Sequence, residues 1–121
     1  MICRLGIAVV SVLCCANIMA ATATFTAGVT QVLIDDNNFA GCMARLTVDV
    51  GGQLAGCSGR FVTLDCTGEL GSSNSIASAK LGAAQLALVT DTTVRVTVDN
   101  TRVANRYCLA RRIDNTQTPA P

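Results

Sequence analysis

Four cysteines are the most reactive side chains in the body of this chain, and their spacing limits the chemistry available to them. Cys42, Cys57, Cys66 and Cys108 are 15, 9 and 42 residues apart in sequence, and the chain has no histidine. Structural zinc sites usually contain closely spaced cysteine pairs, often with histidine, and redox pairs usually have two residues between the cysteines. The spacing favours two disulfides, and we expect neither a metal nor a cofactor.

Disulfides form in oxidising compartments, and the N-terminus has the parts of a secretory signal. Arg4 supplies the positive charge, Leu5 to Cys15 form an apolar run, and Ala21-Thr22-Ala23 matches a cleavage site, with Ala20 as an alternative end. The run is shorter than the roughly 20 residues that span a bilayer. We predict a signal peptide over 1–23 and a secreted or periplasmic protein without a membrane span in the mature chain. An uncleaved anchor is the alternative.

Removal of this signal leaves 98 of the 121 residues, which is enough for one domain with a modest core that benefits from cross-links. The remaining chain has eight basic and eight acidic residues, and its only aromatic residues are three phenylalanines and one tyrosine. Proteins that bind single-stranded nucleic acid combine aromatic stacking with a basic groove. We therefore expect no nucleic-acid partner.

Apolar and polar residues alternate along much of the mature chain, which indicates half-buried strands. The clearest case is TTVRVTVDN, where Val94, Val96 and Val98 take one face. Together with turn residues between them, these patterns predict five strands, over Thr26–Asp36, Cys42–Val50, Arg60–Cys66, Thr92–Asn100 and Arg106–Asp114.

One segment, Ser75–Val89, has the composition of a helix instead. Its apolar residues recur at helical spacing and predict a stripe that faces the core, made of Ile76, Ala79, Ala83, Leu86 and Ala87. Ser72, Ser73 or Asn74 is expected to cap its start. Gly82 is expected to let the helix approach the sheet closely.

The predicted order is therefore β-β-β-α-β-β in a single domain over 24–114, followed by a flexible tail over 115–121. This order suits a β-rich α+β protein, namely a five-stranded OB-like Greek-key barrel with its helix between strands three and four. A split α+β sandwich with the same order is the alternative.

The segments GCMARL, FVTLDCTGE, AAQLALVTDTTVRVTVDN and YCLARRID resemble small secreted bacterial proteins of uncharacterised function, over about 28–114. The element order, and a helix ending in QLALVTD before the strand TVRVTV, are also distantly similar to the B subunits of AB5 toxins. This second resemblance implies an OB-fold, assembly into a pentamer and binding of a cell-surface glycan. A fold alone does not fix function.

Four cysteines allow three pairings. In an OB barrel strand three lies beside strand five, which would bring Cys66 to Cys108. Cys42 and Cys57 flank strand two and the loop that follows it. We therefore predict the disulfides Cys42–Cys57 and Cys66–Cys108.

Catalysis has little support in this sequence. The absence of histidine excludes Ser–His and Cys–His dyads. Lys80 is the only lysine, and Ser78, two residues away, would lie on another face of the helix. We predict that the protein is not an enzyme.

Charge is unevenly distributed along the mature chain. Residues 24–91 carry three basic and six acidic residues, whereas residues 92–121 carry five arginines and two aspartates. Guanidinium groups match the geometry of carboxylates and phosphates, so the last hairpin is a candidate site for an anionic ligand such as a sialylated glycan, an acidic lipid or an acidic protein patch. The candidate residues are Arg95, Arg106, Tyr107, Arg111 and Arg112, with Tyr107 as a platform for a sugar ring. In the alternative interpretation, these arginines pair with Asp99, Asp114 and the acidic first hairpin.

We expect a secreted, disulfide-stabilised binding module that recognises a cell-surface glycan or receptor and assembles into a homo-oligomer through sheet edges. The alternative is a monomeric periplasmic structural or inhibitory protein that binds another protein.

Overall fold

The structure is a computed structural model that describes residues 19–121; Arg4 and the run Leu5–Cys15 of the predicted signal lie outside that range. Five strands occur within it, namely β1 (Thr22–Ile34), β2 (Cys42–Leu46), β3 (Phe61–Thr63), β4 (Thr92–Ala104) and β5 (Tyr107–Pro119). The helical segments are a 3-10 turn (Phe39–Gly41), the single-turn α1 (Val50–Gln53) and the long α2 (Asn74–Thr90). The prediction of a β-rich fold with five strands is confirmed.

The strands pair into one closed ring in the order β1-β2-β3-β5-β4. The first half of β1 pairs with β4, from Thr22 to Gly28, and the second half pairs with β2, from Val29 to Ile34. All neighbours are antiparallel except β3 and β5, which run parallel where Thr63 lies opposite Leu109. The expected adjacency of the third and fifth strands is observed.

Gly28 lies where β1 changes partner from β4 to β2. Its N–H donates to the Thr47 hydroxyl at 2.9 Å, and its carbonyl accepts from the Thr47 N–H at 3.0 Å. A Cβ at position 28 would lie 3.1 Å from Thr47 Cγ2. The absent side chain therefore lets the Thr47 segment approach β1 closely at the switch.

The core fills the interior of the ring. The predicted inward face of β4 is confirmed, since Val94, Val96 and Val98 are fully buried. β2 contributes Cys42, Ala44 and Leu46 to the same core, and α2 covers it with small side chains. Among residues 19–121, no helix is both long enough and apolar enough to cross a bilayer.

Several element boundaries differ from the predicted ones. The second strand ends at Leu46 rather than Val50, because Asp49 caps α1 by accepting a hydrogen bond from the Gly51 N–H at 3.1 Å. Neither α1 nor the 3-10 turn was predicted, so the element order differs from β-β-β-α-β-β by these two additions.

Both ends of the domain also extend beyond the predicted limits. β1 begins at Thr22, inside the segment predicted as signal, and β5 continues to Pro119, through most of the tail predicted over 115–121. Asn115 lies opposite Val94 in the β4–β5 ladder, which accounts for the longer strand.

The predicted core face of α2 is wrong except at Ala87, which is buried. Ile76 and Leu86 are 54% and 53% exposed, whereas the buried residues of α2 are Ala77, Lys80, Ala84 and Ala87. Small residues face the ring because they let the helix lie close to the strands. Gly82, expected to serve that purpose, has nothing within 4 Å of its would-be Cβ. Ser73 caps α2, as one of the three predicted candidates.

The predicted pairing of the cysteines is also wrong: the disulfides are Cys42–Cys66 and Cys57–Cys108, with Cα atoms 5.5 and 5.3 Å apart. The β2–β3 hairpin explains the difference. The Leu64 N–H donates to the Cys42 carbonyl, so Cys66 lies beside Cys42 at one end of this hairpin. Cys57 lies in the connection at its other end, out of reach of Cys42 and within reach of the start of β5.

Candidate functional site

The structure distributes the five predicted ligand-binding residues over three places. Arg95 and Arg112 share one carboxylate, Arg106 and Tyr107 lie at the β4–β5 turn, and Arg111 faces a cavity beside the start of α2. They do not form one surface.

Asp114 occupies both arginines of the first group. Arg95 Nη2 lies 3.3 Å and Arg112 Nε 3.0 Å from Asp114 Oδ2. The hydrogen bond from Arg112 is the main reason that the pKa of the Asp114 carboxyl is lowered, and the one from Arg95 adds to it. For Arg95 and Arg112 the alternative interpretation, pairing with an aspartate, is what the structure contains, and Arg111 is likewise ion-paired, with Asp99 at 3.9 Å. Exposed pairs of this kind contribute about 0–1 kcal/mol.

Tyr107 packs between two phenylalanines. Its ring centroid is 5.7 Å from that of Phe39 and 5.8 Å from that of Phe61, in edge-to-face geometry. Three of the four aromatic residues of the chain therefore form one partly buried cluster, where such contacts are favourable. Arg106 precedes it in a two-residue turn with Asn105, at φ 74° and 50°, which suits a tight hairpin.

Arg111 belongs to a more concentrated charged feature. We use the name basic cavity for an opening of about 380 Å³ whose charged lining residues are Lys80, Arg102 and Arg111, with Ser72 and Ser73 beside them. Arg102 comes from β4, Arg111 from β5 and Lys80 from the second turn of α2. Three different elements therefore contribute positive charge to one opening.

Lys80 lies at the bottom of the basic cavity and is only 5% exposed. Its ammonium donates hydrogen bonds to the Ala110 carbonyl at 2.9 Å and to the Ser72 hydroxyl at 3.2 Å. Burial lowers the pKa of this amine, while the negative charge of Asp65 raises it. An ammonium has three donors, so one N–H remains for a bound molecule.

Two carboxylates lie next to these cations, and both are buried. Asp65 is fully buried and accepts hydrogen bonds from the N–H groups of Leu70 and Ser72 at 3.1 and 2.8 Å. Asp99 is 6% exposed and accepts from the hydroxyl and N–H of Thr101 at 2.6 and 2.8 Å. The three cations of the lining exceed these two carboxylates by one formal charge, so the group as a whole keeps a net positive charge.

Arg102 and Arg111 keep most of their hydrogen-bonding capacity. Their Nε atoms are 4.0 and 3.9 Å from Asp99 Oδ2, which is too long for a hydrogen bond. Their side chains are 47% and 51% exposed, and neither donates a hydrogen bond within residues 19–121. Both guanidinium groups are therefore held near the opening with free donors.

The start of α2 adds to the positive potential of the basic cavity. The helix has 17 residues and no acidic residue in its first turn, and its N-cap, Ser73, lines the cavity. The N-terminus of a helix carries partial positive charge and unpaired N–H groups. An oxyanion such as a carboxylate, sulfate or phosphate would complement this arrangement.

The contact between Lys80 and Ser72 brings together the residue types of a Ser–Lys dyad, with Ser72 instead of Ser78. In the observed geometry Lys80 donates to both Ser72 and the Ala110 carbonyl. No cluster of metal-ligating side chains occurs in the part of the chain from 19 to 121.

Of the residues that line the basic cavity, the five predicted residues include Arg111 but not Lys80, Arg102 or Ser72. Lys80 recurs at helical spacing with Ala77, Ala84 and Ala87, and this stripe of small residues with one lysine was the available signal. The prediction missed this signal because the stripe of larger apolar residues also recurs at helical spacing and is more hydrophobic.

Comparison with known proteins adds no identity, since no protein family, curated protein or solved structure matches the chain.

Proposed function

We propose that the protein is a secreted, disulfide-stabilised, non-catalytic binding module that recognises the anionic group of a cell-surface glycan or receptor. The observation that carries the proposal is the basic cavity, where three cations from three elements surround one opening while the neighbouring carboxylates are buried and bonded. In this proposal the ring of strands is an OB-like Greek-key barrel. Its strand order and its parallel β3–β5 pair support that assignment.

Lys80 and the two arginines have different roles in this proposal. Lys80 is fixed by its two hydrogen bonds and offers a preorganised donor at the bottom of the cavity. Arg102 and Arg111 have N–H donors left for the ligand, because their contacts with Asp99 are too long for hydrogen bonds. A small anion held mainly by exposed arginines binds weakly, with a Kd on the order of 1 mM. Tight binding to a cell would then need several sites at once.

The test is a titration monitored by NMR with 3′-sialyllactose as the probe and lactose as the neutral control. We expect sialyllactose, and not lactose, to shift the resonances of the cavity residues. Arg111→Ala should weaken binding about tenfold, which corresponds to about 1.4 kcal/mol. Arg112→Ala is the matched control, since its guanidinium is paired with Asp114, and it should stay within about twofold of the unmodified protein.

Equal affinity for the two sugars would rule out recognition of the anionic group. A loss of binding in Arg112→Ala as large as in Arg111→Ala would place the site elsewhere on β5.

A second candidate, a monomeric periplasmic protein that binds another protein, is favoured by the outer face of α2. Ile76, Leu86 and Val89 are 54%, 53% and 83% exposed on this helix. Light scattering on a sizing column separates the two candidates. A closed ring of subunits supports multivalent recognition of a cell surface, whereas a monomer favours the second candidate.

A further inference from the structure

Residues 21–23 are held in the fold at the point where the signal peptide was predicted to end. Thr22 lies opposite Asp99 and Ala23 opposite Val98 in the ladder between β1 and β4. Ala23 also packs against the core.

Asn100 binds the chain just before this ladder. The Ala21 N–H donates to Asn100 Oδ1 at 2.9 Å, and the Asn100 N–H donates to the Ala21 carbonyl at 3.2 Å. Asn100 Nδ2 donates to the carbonyls of Met19 and Ala55, both at 2.9 Å. One side chain thus joins the start of β1 to the connection that follows α1.

Cleavage after Ala23, after Ala20 or at Ala21 between them affects these contacts differently. Cleavage after Ala23 removes two ladder residues and both Ala21 contacts with Asn100. Cleavage after Ala21 keeps the ladder but removes the contacts of Met19 and Ala21 with Asn100. Cleavage after Ala20 keeps the ladder and every Asn100 contact except that with Met19, and it still places a small residue before the cut.

We propose that the signal is removed between Ala20 and Ala21, and that the Asn100 side chain binds the new N-terminus. The nitrogen of Ala21 then becomes an ammonium whose existing hydrogen bond to Asn100 Oδ1 is charge-assisted, and such bonds are stronger than neutral ones. Ala21 is exposed, so the new charge stays hydrated. This inference depends on the export that is part of the proposed function.

The new ammonium lies next to the basic cavity. Ala21, Asp99, Thr101 and Arg111 line one open depression of about 350 Å³. Arg111 belongs to both openings, so cleavage here adds a fourth positive charge beside the three cations already described.

The first test is the intact mass of the exported protein together with its N-terminal sequence. We expect the chain to start at Ala21. A start at Thr22 or Thr24 overturns the inference and leaves export, and with it the proposed function, intact. A chain that retains Met1 also overturns the inference, and recovery of that uncleaved chain in the cytoplasmic fraction overturns the export on which the proposed function depends.

The second test measures how far Asn100 protects the N-terminal amine of the exported, processed protein. Ala21 and Lys80 would be its only amines, and Lys80 is buried, so an amine-acylating reagent at neutral pH reports mainly on the N-terminus. Asn100→Ala should accelerate acylation of Ala21 several-fold and lower the Tm by about 4–8 °C. Asn74→Ala, at the exposed first residue of α2, is the control and should change neither. An unchanged acylation rate in Asn100→Ala would overturn the claim that Asn100 binds the N-terminus, whatever the change in Tm.

Discussion

At the scale of single residues, Asp99 links the chemistry of the basic cavity to the stability of the fold. Partial burial raises the pKa of its carboxyl. The hydrogen bonds from the hydroxyl and N–H of Thr101, and then the charges of Arg111 and Arg102, lower the pKa by more, so it lies below the ordinary value of 3.8. A carboxyl with a lowered pKa in the folded state stabilises that state above its unfolded pKa. This contribution disappears as the pH falls through the folded pKa.

Asp99→Asn should therefore destabilise the protein at pH 7 and have progressively less effect as the pH falls below about 4. Urea unfolding at pH 7, 5 and 3 measures this dependence. Glu69→Gln, at an exposed side chain, is the control and should follow the unmodified protein throughout. A difference between Asp99→Asn and the unmodified protein that is constant with pH would mean that Asp99 acts through packing and not through its charge.

At the scale of elements, α2 depends on small side chains where it meets the ring. Ala84 is fully buried and Ala87 nearly so, whereas Ala79 lies on the exposed face. A larger side chain can therefore be accommodated at Ala79, on the exposed face, but not at Ala84.

Ala84→Leu should therefore destabilise the protein by about 1–3 kcal/mol, because overpacking forces the helix away from the strands. Ala79→Leu adds the same atoms on the outer face and should stay within about 0.5 kcal/mol of the unmodified protein. Urea midpoints at constant m-value compare the two. The predicted core stripe included Ala79, so a larger effect at Ala79 than at Ala84 would restore that prediction.

The strands were predictable from the sequence because a period of two with repeated valines leaves little ambiguity about which face is buried, as in β4. The orientation of α2 was not predictable in this way. Its two stripes both recur at helical spacing, and hydrophobicity alone selects the one with Ile76 and Leu86. The stripe of alanines faces the ring because the space between α2 and the strands is too small for larger side chains. The basic cavity depends on that orientation, since turning α2 outward would remove Lys80 from the opening that Arg102 and Arg111 reach.

At the scale of the whole molecule, the two disulfides connect parts of the ring that are distant in sequence. Cys42–Cys66 closes a separation of 24 residues and Cys57–Cys108 one of 51 residues. In the chain-entropy treatment these closures stabilise the fold by about 3.5 and about 4 kcal/mol. Both are large relative to the roughly 5–15 kcal/mol that stabilises a typical domain.

Replacing Cys57 and Cys108 together by alanine should therefore lower the free energy of unfolding by about 4 kcal/mol, and replacing Cys42 and Cys66 by slightly less. Urea unfolding of the oxidised variants at pH 7 measures both. Peptide mapping confirms that the remaining disulfide is the native one. A double variant that unfolds at the midpoint of the unmodified protein would show that its disulfide contributes nothing to stability.

The two disulfides interleave along the chain, since Cys57 lies between Cys42 and Cys66. In the export that we propose, the chain emerges from its N-terminus, so Cys57 is the first partner that Cys42 meets, and Cys66 then remains for Cys108. Oxidation in order of emergence thus yields Cys42–Cys57 and Cys66–Cys108, a set that the folded β2–β3 hairpin does not accommodate. A chain oxidised in that order reaches the native pairing only through thiol–disulfide exchange. We therefore expect the yield of this protein to depend on the host's disulfide isomerase more than on its oxidase.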